Sequence, residues 1–194
     1  MGPQQILAGM AFLRSAPPEV QHDPTKMGAL LEARGPEEQR SLRSLMKVMS
    51  PSQREAFRRD LLVIARFLRT RPEVDPGRVA SRGFCMGGGL SARLATLDSE
   101  LRACLIFYGE PPDLARIPAI GAVVLGLYGG DDARITETVP GFAEAMKKAG
   151  KPFSYRSYPG AKHAFFNDTR KETYNTSAAT DAWKRTLEFL RENL

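Results

Sequence analysis

Cysteine, histidine and tryptophan are all scarce in this 194-residue chain, which holds two, two and one of them. Two cysteines, Cys85 and Cys104, are too few for a disulfide framework in a chain of this length. No run approaches the roughly 18 apolar residues of a membrane span. The apolar stretch Ile6 to Leu13 has no positive residue ahead of it, so it does not read as a signal peptide. Met1-Gly2 has Ile6 where a myristoylation motif requires Ser or Thr. Internal repeats and low-complexity tracts are also lacking. These absences lead us to expect a single cytoplasmic domain (residues 1–194) with no membrane association.

The formal charge of +6 is unevenly placed. Between Arg34 and Arg71 stand ten Lys and Arg against four Asp and Glu, while the remainder balances at eighteen each. That stretch reads as helix, so the excess is a solvated helix face. No stacking aromatics or binding motif accompany it, and nucleic acid is not an expected partner.

The chain divides into unlike parts. Residues 1–70 look helical, with candidates at Ile6 to Arg14 and Glu37 to Met49. A third begins at Ser50-Pro51-Ser52-Gln53, where a cap, a proline and a capping-box glutamine coincide. Its apolar face carries Phe57, Leu61, Ile64, Ala65 and Leu68. Residues 71–194 alternate short β-prone runs (Arg78 to Phe84, Leu101 to Tyr108, Ala122 to Tyr128, Phe153 to Tyr158) with helical ones (Gly87 to Leu97, Val139 to Ala149, Ser177 to Asn193). On the last helix Ala179, Ala182, Trp183, Thr186, Leu187 and Leu190 share a face. Such alternation predicts an α/β fold, a parallel sheet of about four strands flanked by helices, with functional groups at the strands' carboxyl ends.

Three strand ends carry chemistry. Gly83-Phe84-Cys85-Met86-Gly87 follows a strand and opens a helix, the nucleophile-elbow pattern with cysteine in the serine position. Its glycines are expected to avoid collisions between strand and helix, and a helix N-terminus favours the thiolate. Cys104, inside an apolar run, reads as core packing. Leu127-Tyr128-Gly129-Gly130-Asp131-Asp132 puts two acids past a strand, either of which could orient a histidine or cap a helix. His163 follows the last strand; the other histidine, His22, has no chemical companion. Cysteine, acid and histidine thus fall in the chain order of an α/β-hydrolase triad. Tyr108-Gly109-Glu110, past the second strand, lines the expected pocket.

These segments, with Tyr158-Pro159-Gly160-Ala161-Lys162-His163-Ala164-Phe165 and the tail Tyr174-Asn175 through Ala182-Trp183, resemble the dienelactone hydrolase family over about residues 56 to 194. The resemblance implies a Cys85 nucleophile, a His163 base and Asp132 as the orienting acid, since the family's acid is the fourth residue of the element beginning at Gly129. It implies a Met86 N–H in the oxyanion hole, substrate contacts from Tyr108, Phe165 and Asn167, no metal or cofactor, and a small ester or lactone as substrate. Two departures stand out. The family's early strands, its second oxyanion donor and an early-loop glutamate have no counterpart here, which makes Arg78 to Phe84 a sheet edge and predicts a homodimer. Asn167 also stands where dienelactone-cleaving members carry arginine, which favours general esters or lactones. The rival expectation is an impaired member acting as a binding or assembly module.

Overall fold

The computed structural model describes residues 3–17, 20 and 23–194. His22 lies outside the described residues. The chain forms two compact units, residues 1–57 and 58–194.

The first unit is helical: α1 (Pro3–Ser15), α2 (Pro24–Glu32), α3 (Pro36–Met49) and the first turns of α4 (Pro51–Arg69). Asp23 caps α2 by accepting from the Thr25 and Lys26 N–H groups. Ser50 caps α4 as read, its Oγ accepting from Gln53 N–H at 3.3 Å. The reciprocal half of a capping box is replaced, because the Ser50 N–H donates to the Lys47 carbonyl of the preceding helix. Met27, Leu31, Leu42 and Leu45 make the buried core of this unit.

The second unit is built on a four-stranded parallel sheet in the order β1-β2-β3-β4, comprising β1 (Ala80–Phe84), β2 (Ala103–Phe107), β3 (Val123–Gly129) and β4 (Phe153–Tyr158). Strand β2 is buried along its whole length and shows why the sheet must be covered on both faces. Cys104 and Ile106 face one core with Val124 and Tyr128. Into that core pack α5 (Met86–Ala95), α7 (Val139–Lys148) and Leu61 and Leu62 of α4. Ala103, Leu105 and Phe107 face the other core, closed by α8 (Thr176–Asn193) through Ala178, Ala182 and Phe189. Asn175 caps α8, its side chain accepting from the Ala178 N–H. Trp183 departs from the expected apolar face: it is 41% exposed. The Arg82 guanidinium lies over its ring, 5.3 Å from the centroid.

Among the described residues strand β1 is an edge of this sheet, as expected from the lack of earlier strand runs. Among the described residues no helix is long and apolar enough to cross a membrane.

Candidate active site

The site is assembled at the carboxyl ends of β1, β2, β3 and β4, where a parallel sheet leaves room between its helices. Cys85 sits between β1 and α5 with φ 54° and ψ −120°. A non-glycine residue held there stores roughly 1–3 kcal/mol of strain, which the surrounding hydrogen bonds must hold in place. Cys85 N–H donates to Phe107 O at 3.0 Å, and Gly89 N–H donates to Cys85 O at 3.2 Å.

The glycines of the elbow are not equivalent. A Cβ on Gly83 would stand 1.9 Å from the Gly87 carbonyl oxygen, and one on Gly88 would stand 2.8 Å from Phe107 O. A Cβ on Gly87 would meet nothing within 4 Å. The sequence expectation that both flanking glycines avoid a collision therefore holds for Gly83 and is corrected for Gly87.

His163 joins the three loops. Its Nδ1 lies 2.5 Å from Asp132 Oδ2, and its Nε2 lies 3.1 Å from Cys85 Sγ. Asp132 is buried. Its neighbour Asp131 has a different task, accepting the Gly160 N–H at 3.1 Å and so fixing the turn that leads to the histidine. The hydrogen bond to Asp132, followed by that to Cys85, raises the His163 pKa to about 9. The reciprocal bond from His163 lowers the Cys85 pKa against the opposing effect of burial, with help from the Met86 N–H and the charge of Arg134. The two groups are thus shifted in the directions that ease proton transfer from sulfur to imidazole. Cys104 is the reverse case: burial pushes its thiol up to about 11.

Tyr108 closes the histidine side. It adopts φ 39° and sets its ring edge-on to His163 at 5.1 Å. The other two expected substrate contacts are placed differently. Phe165 has no exposed surface. Its ring packs against Tyr108 at 5.5 Å and Tyr158 at 5.2 Å, so it supports the wall behind Tyr108. Phe166 is the partly exposed ring of that loop, stacked on Phe84 at 5.5 Å. Asn167 is turned inward on its own loop, its Oδ1 accepting from both the Thr169 N–H and hydroxyl. Glu110, expected as pocket lining, is held by two arginines: Nη1 of Arg134 at 3.0 Å and Nη2 of Arg93 at 3.5 Å. Sequence reasoning missed Arg134, although its place two residues after Asp132 was a usable signal. No group of three or more His, Cys, Asp or Glu among the described residues is placed to hold a metal ion.

Comparison with known proteins follows the same lines. The chain is 36% identical over 178 residues to a protein of Saccharolobus solfataricus named "Putative carboxymethylenebutenolidase", covering 91% of this chain and 67% of that protein. A protein of the same name from Methylorubrum extorquens is 33% identical over 146 residues, 69% of this chain and 49% of its own length. Among solved structures, a "Putative Dienelactone Hydrolase" from Klebsiella pneumoniae matches with a TM-score of 0.62 and 31% identity, over 68% of this chain and 59% of that one. The chain therefore spans between about half and two thirds of these proteins. The dienelactone hydrolase family matches residues 21–194. The resemblance thus reaches further back than the motifs, into helices that carry no chemical signature. On a family match over most of its length, with the α/β-hydrolase sheet that such a family requires, this chain belongs to the dienelactone hydrolase family.

Proposed function

We propose that this chain hydrolyses small carboxylic esters or lactones by acyl transfer through Cys85. The carrying observation is the placement of one imidazole between sulfur and carboxylate, 3.1 Å from the first and 2.5 Å from the second. In this reading the thiolate attacks the carbonyl carbon and the carbonyl oxygen takes up the electron pair. The Met86 N–H, which already faces the sulfur, supports that oxyanion. The imidazolium then donates its proton to the departing alcohol, leaving an acyl-cysteine. His163, now neutral, takes a proton from water as the hydroxide adds to the acyl carbon, and breaking of the carbon–sulfur bond releases the acid and restores the thiolate beside the imidazolium. Asp132 keeps the imidazole in the tautomer that directs Nε2 at sulfur.

A general ester or lactone is favoured over a substrate held through a carboxylate at position 167. Asn167 has no positive charge to pair with a carboxylate as an arginine would, and its side chain is turned onto Thr169 of its own loop. No metal or organic cofactor takes part in this scheme.

Turnover of a chromogenic short-chain ester is the test. Asp132→Asn and His163→Ala should each reduce kcat by about a thousandfold or more, and the double variant should be little worse than either. Asp131→Asn should do far less, because that acid supports a backbone turn. A crippling Asp131→Asn beside an active Asp132→Asn would overturn the assignment.

The edge position of β1 also supports self-association. Such an edge leaves backbone N–H and C=O groups facing outward, and natural sheets cover, pair or blunt them. The partner in this reading is a second copy meeting the first through the edge strands or the N-terminal helices.

A further inference from the structure

The two sides of the triad are finished differently. On one, Asp132 leads into the short helix α6 (Ala133–Thr136), whose Ile135 is buried in the core shared with α5 and α7. On the other, toward α8, large rings stay open to solvent: Phe84 is 36% exposed, Tyr174 36% and Trp183 41%. These rings are not scattered. Phe84, the residue before Cys85, lies 6.2 Å from Tyr108, which is itself set against His163 at 5.1 Å. Phe166, on the His163 loop, stacks on Phe84 at 5.5 Å and lies 6.3 Å from Trp183. Arg82 fixes the outer end, its guanidinium 5.5 Å from the Phe84 centroid and 5.3 Å from that of Trp183. Aromatic surface therefore runs without a break from the residues around Cys85 and His163 to α8.

The row ends in an open cleft of about 350 Å³, lined by Phe166, Tyr174 and Trp183 with Asp168, Ala179 and Thr180. Its form follows from the loop between β4 and α8. The Asn175 N–H donates to Phe165 O at 3.0 Å, which closes that loop and brings Phe166 and Tyr174 together at its neck. Ala179 stands one turn before Trp183 on α8 and is buried, so a methyl group forms the floor where a longer side chain would fill the space. Asp168 and Thr180, both exposed, make a polar rim. Single exposed rings are ordinary on a protein surface, whereas contiguous ones leading into a concave site mark a place for an apolar ligand.

We propose that this cleft holds an extended apolar arm of the ester or lactone, a medium-length alkyl chain or an aryl group, while the carbonyl sits at Cys85. The inference rests on reading Cys85 as the nucleophile and names the substrate class its site takes. Phe84 and Phe166 bridge the interval, so an acetyl group stops short of the cleft and a longer arm crosses Phe166 into it.

Two ester series test this: p-nitrophenyl esters from acetate to octanoate, which lengthen the acyl half, and alkyl acetates from ethyl to octyl, which lengthen the alcohol half. Each methylene that enters the open cleft should raise kcat/KM about two- to threefold in the series whose arm lies there. The long-to-short ratio in that series should fall about tenfold in Trp183→Ala and in Phe166→Ala, and Trp183→Phe should keep most of it. The ratio is taken within each variant, so a smaller folded fraction cancels. Ala179→Leu, which fills the floor, should lower it too and replaces a ring variant that does not fold. Trp183 is the only tryptophan of the chain, so its emission reports the cleft without turnover. In Cys85→Ala, 1-octanol should shift that emission to shorter wavelength and ethanol should not. Two flat series beside measurable acetate turnover would overturn the inference and leave the hydrolase reading intact. A chain-length preference that both ring variants retain would overturn it as well. So would a Trp183 emission that follows protein concentration and ignores 1-octanol, which gives the cleft to a second copy. Failure to hydrolyse any ester while 1-octanol still shifts the emission would remove the nucleophile reading and keep the cleft as an apolar binding site.

Discussion

Replacing Gly83 by alanine adds one carbon at the point where β1 and α5 touch. That carbon would lie 1.9 Å from Gly87 O, 2.1 Å from Gly87 C and 2.6 Å from Gly88 N, all backbone atoms that no rotamer change can move. Relief to the 3.4 Å of ordinary contact requires the helix start to retreat by about 1.5 Å. Cys85 is the hinge of that movement, while His163 is anchored on a separate loop by Asp131 and Asp132. The 3.1 Å contact between sulfur and Nε2 is therefore broken. A misplacement of about 1 Å typically costs on the order of a hundredfold in rate. Overpacking of this kind costs roughly 1–3 kcal/mol or more, which for a chain of this size lowers Tm by about 3–10 °C. Gly87→Ala is the matched comparison, since open space surrounds its Cβ and its backbone is helical. There alanine should stabilise by about 0.5–1 kcal/mol through its higher helix propensity. Thermal unfolding of both variants, with ester turnover for Gly83→Ala, decides the matter. A Gly83→Ala variant as stable and active as wild type, or a Gly87→Ala variant that melts several degrees lower, would refute the steric account of the elbow.

Iodoacetamide at neutral pH should label exposed Cys85 long before buried Cys104, and equal labelling in the folded chain would contradict the assignment of the two thiols. In Cys85→Ala the largest cause of the raised His163 pKa, its bond to Asp132, remains. The stability contributed by that raised value is fully present below the ordinary histidine pKa of 6.5 and is lost as pH rises through the folded value, about 9 in the intact site. Its Tm should accordingly decline across that window, and adding Asp132→Asn should flatten the decline; a profile unaffected by Asp132 would count against the pairing. Sedimentation at micromolar concentration should show a dimer, and a well-folded monomer would remove the edge-pairing proposal.

The sheet was legible because its strands are short, apolar and punctuated by the residues that make turns. All four lie within the runs read from sequence or extend one residue past them. The site was legible for a related reason: its side chains occupy strand ends, where chain order alone restricts who can meet whom. Legibility failed where periodicity ends. The loop from Pro159 to Asn175 has no regular alternation, so nothing local tells that Phe165 points into the core while Phe166 stacks on Phe84. Asn167 is absorbed by a turn it forms with Thr169, a local bond that competes with any outward role. Trp183 fitted an apolar helix face by spacing, yet its ring is shared with Arg82 from an edge strand. The Arg93–Glu110–Arg134 cluster joins residues 17 and 24 positions apart, a meeting set by the fold alone.

The two adjacent acids divide their work, and this division constrains how the site can decay. Asp131 holds the turn by a backbone N–H, so the loop's course does not depend on the imidazole. Asp132 has its carboxylate 8% exposed, with His163 as its hydrogen-bonded partner among the described residues. Losing His163 first would strand a buried negative charge, a change that typically costs several kcal/mol. Losing Asp132 first would leave a histidine whose side chain is 29% exposed and able to find water. In a lineage drifting away from catalysis, burial therefore sets the order of events: the acid can disappear while the fold survives, and the histidine follows it.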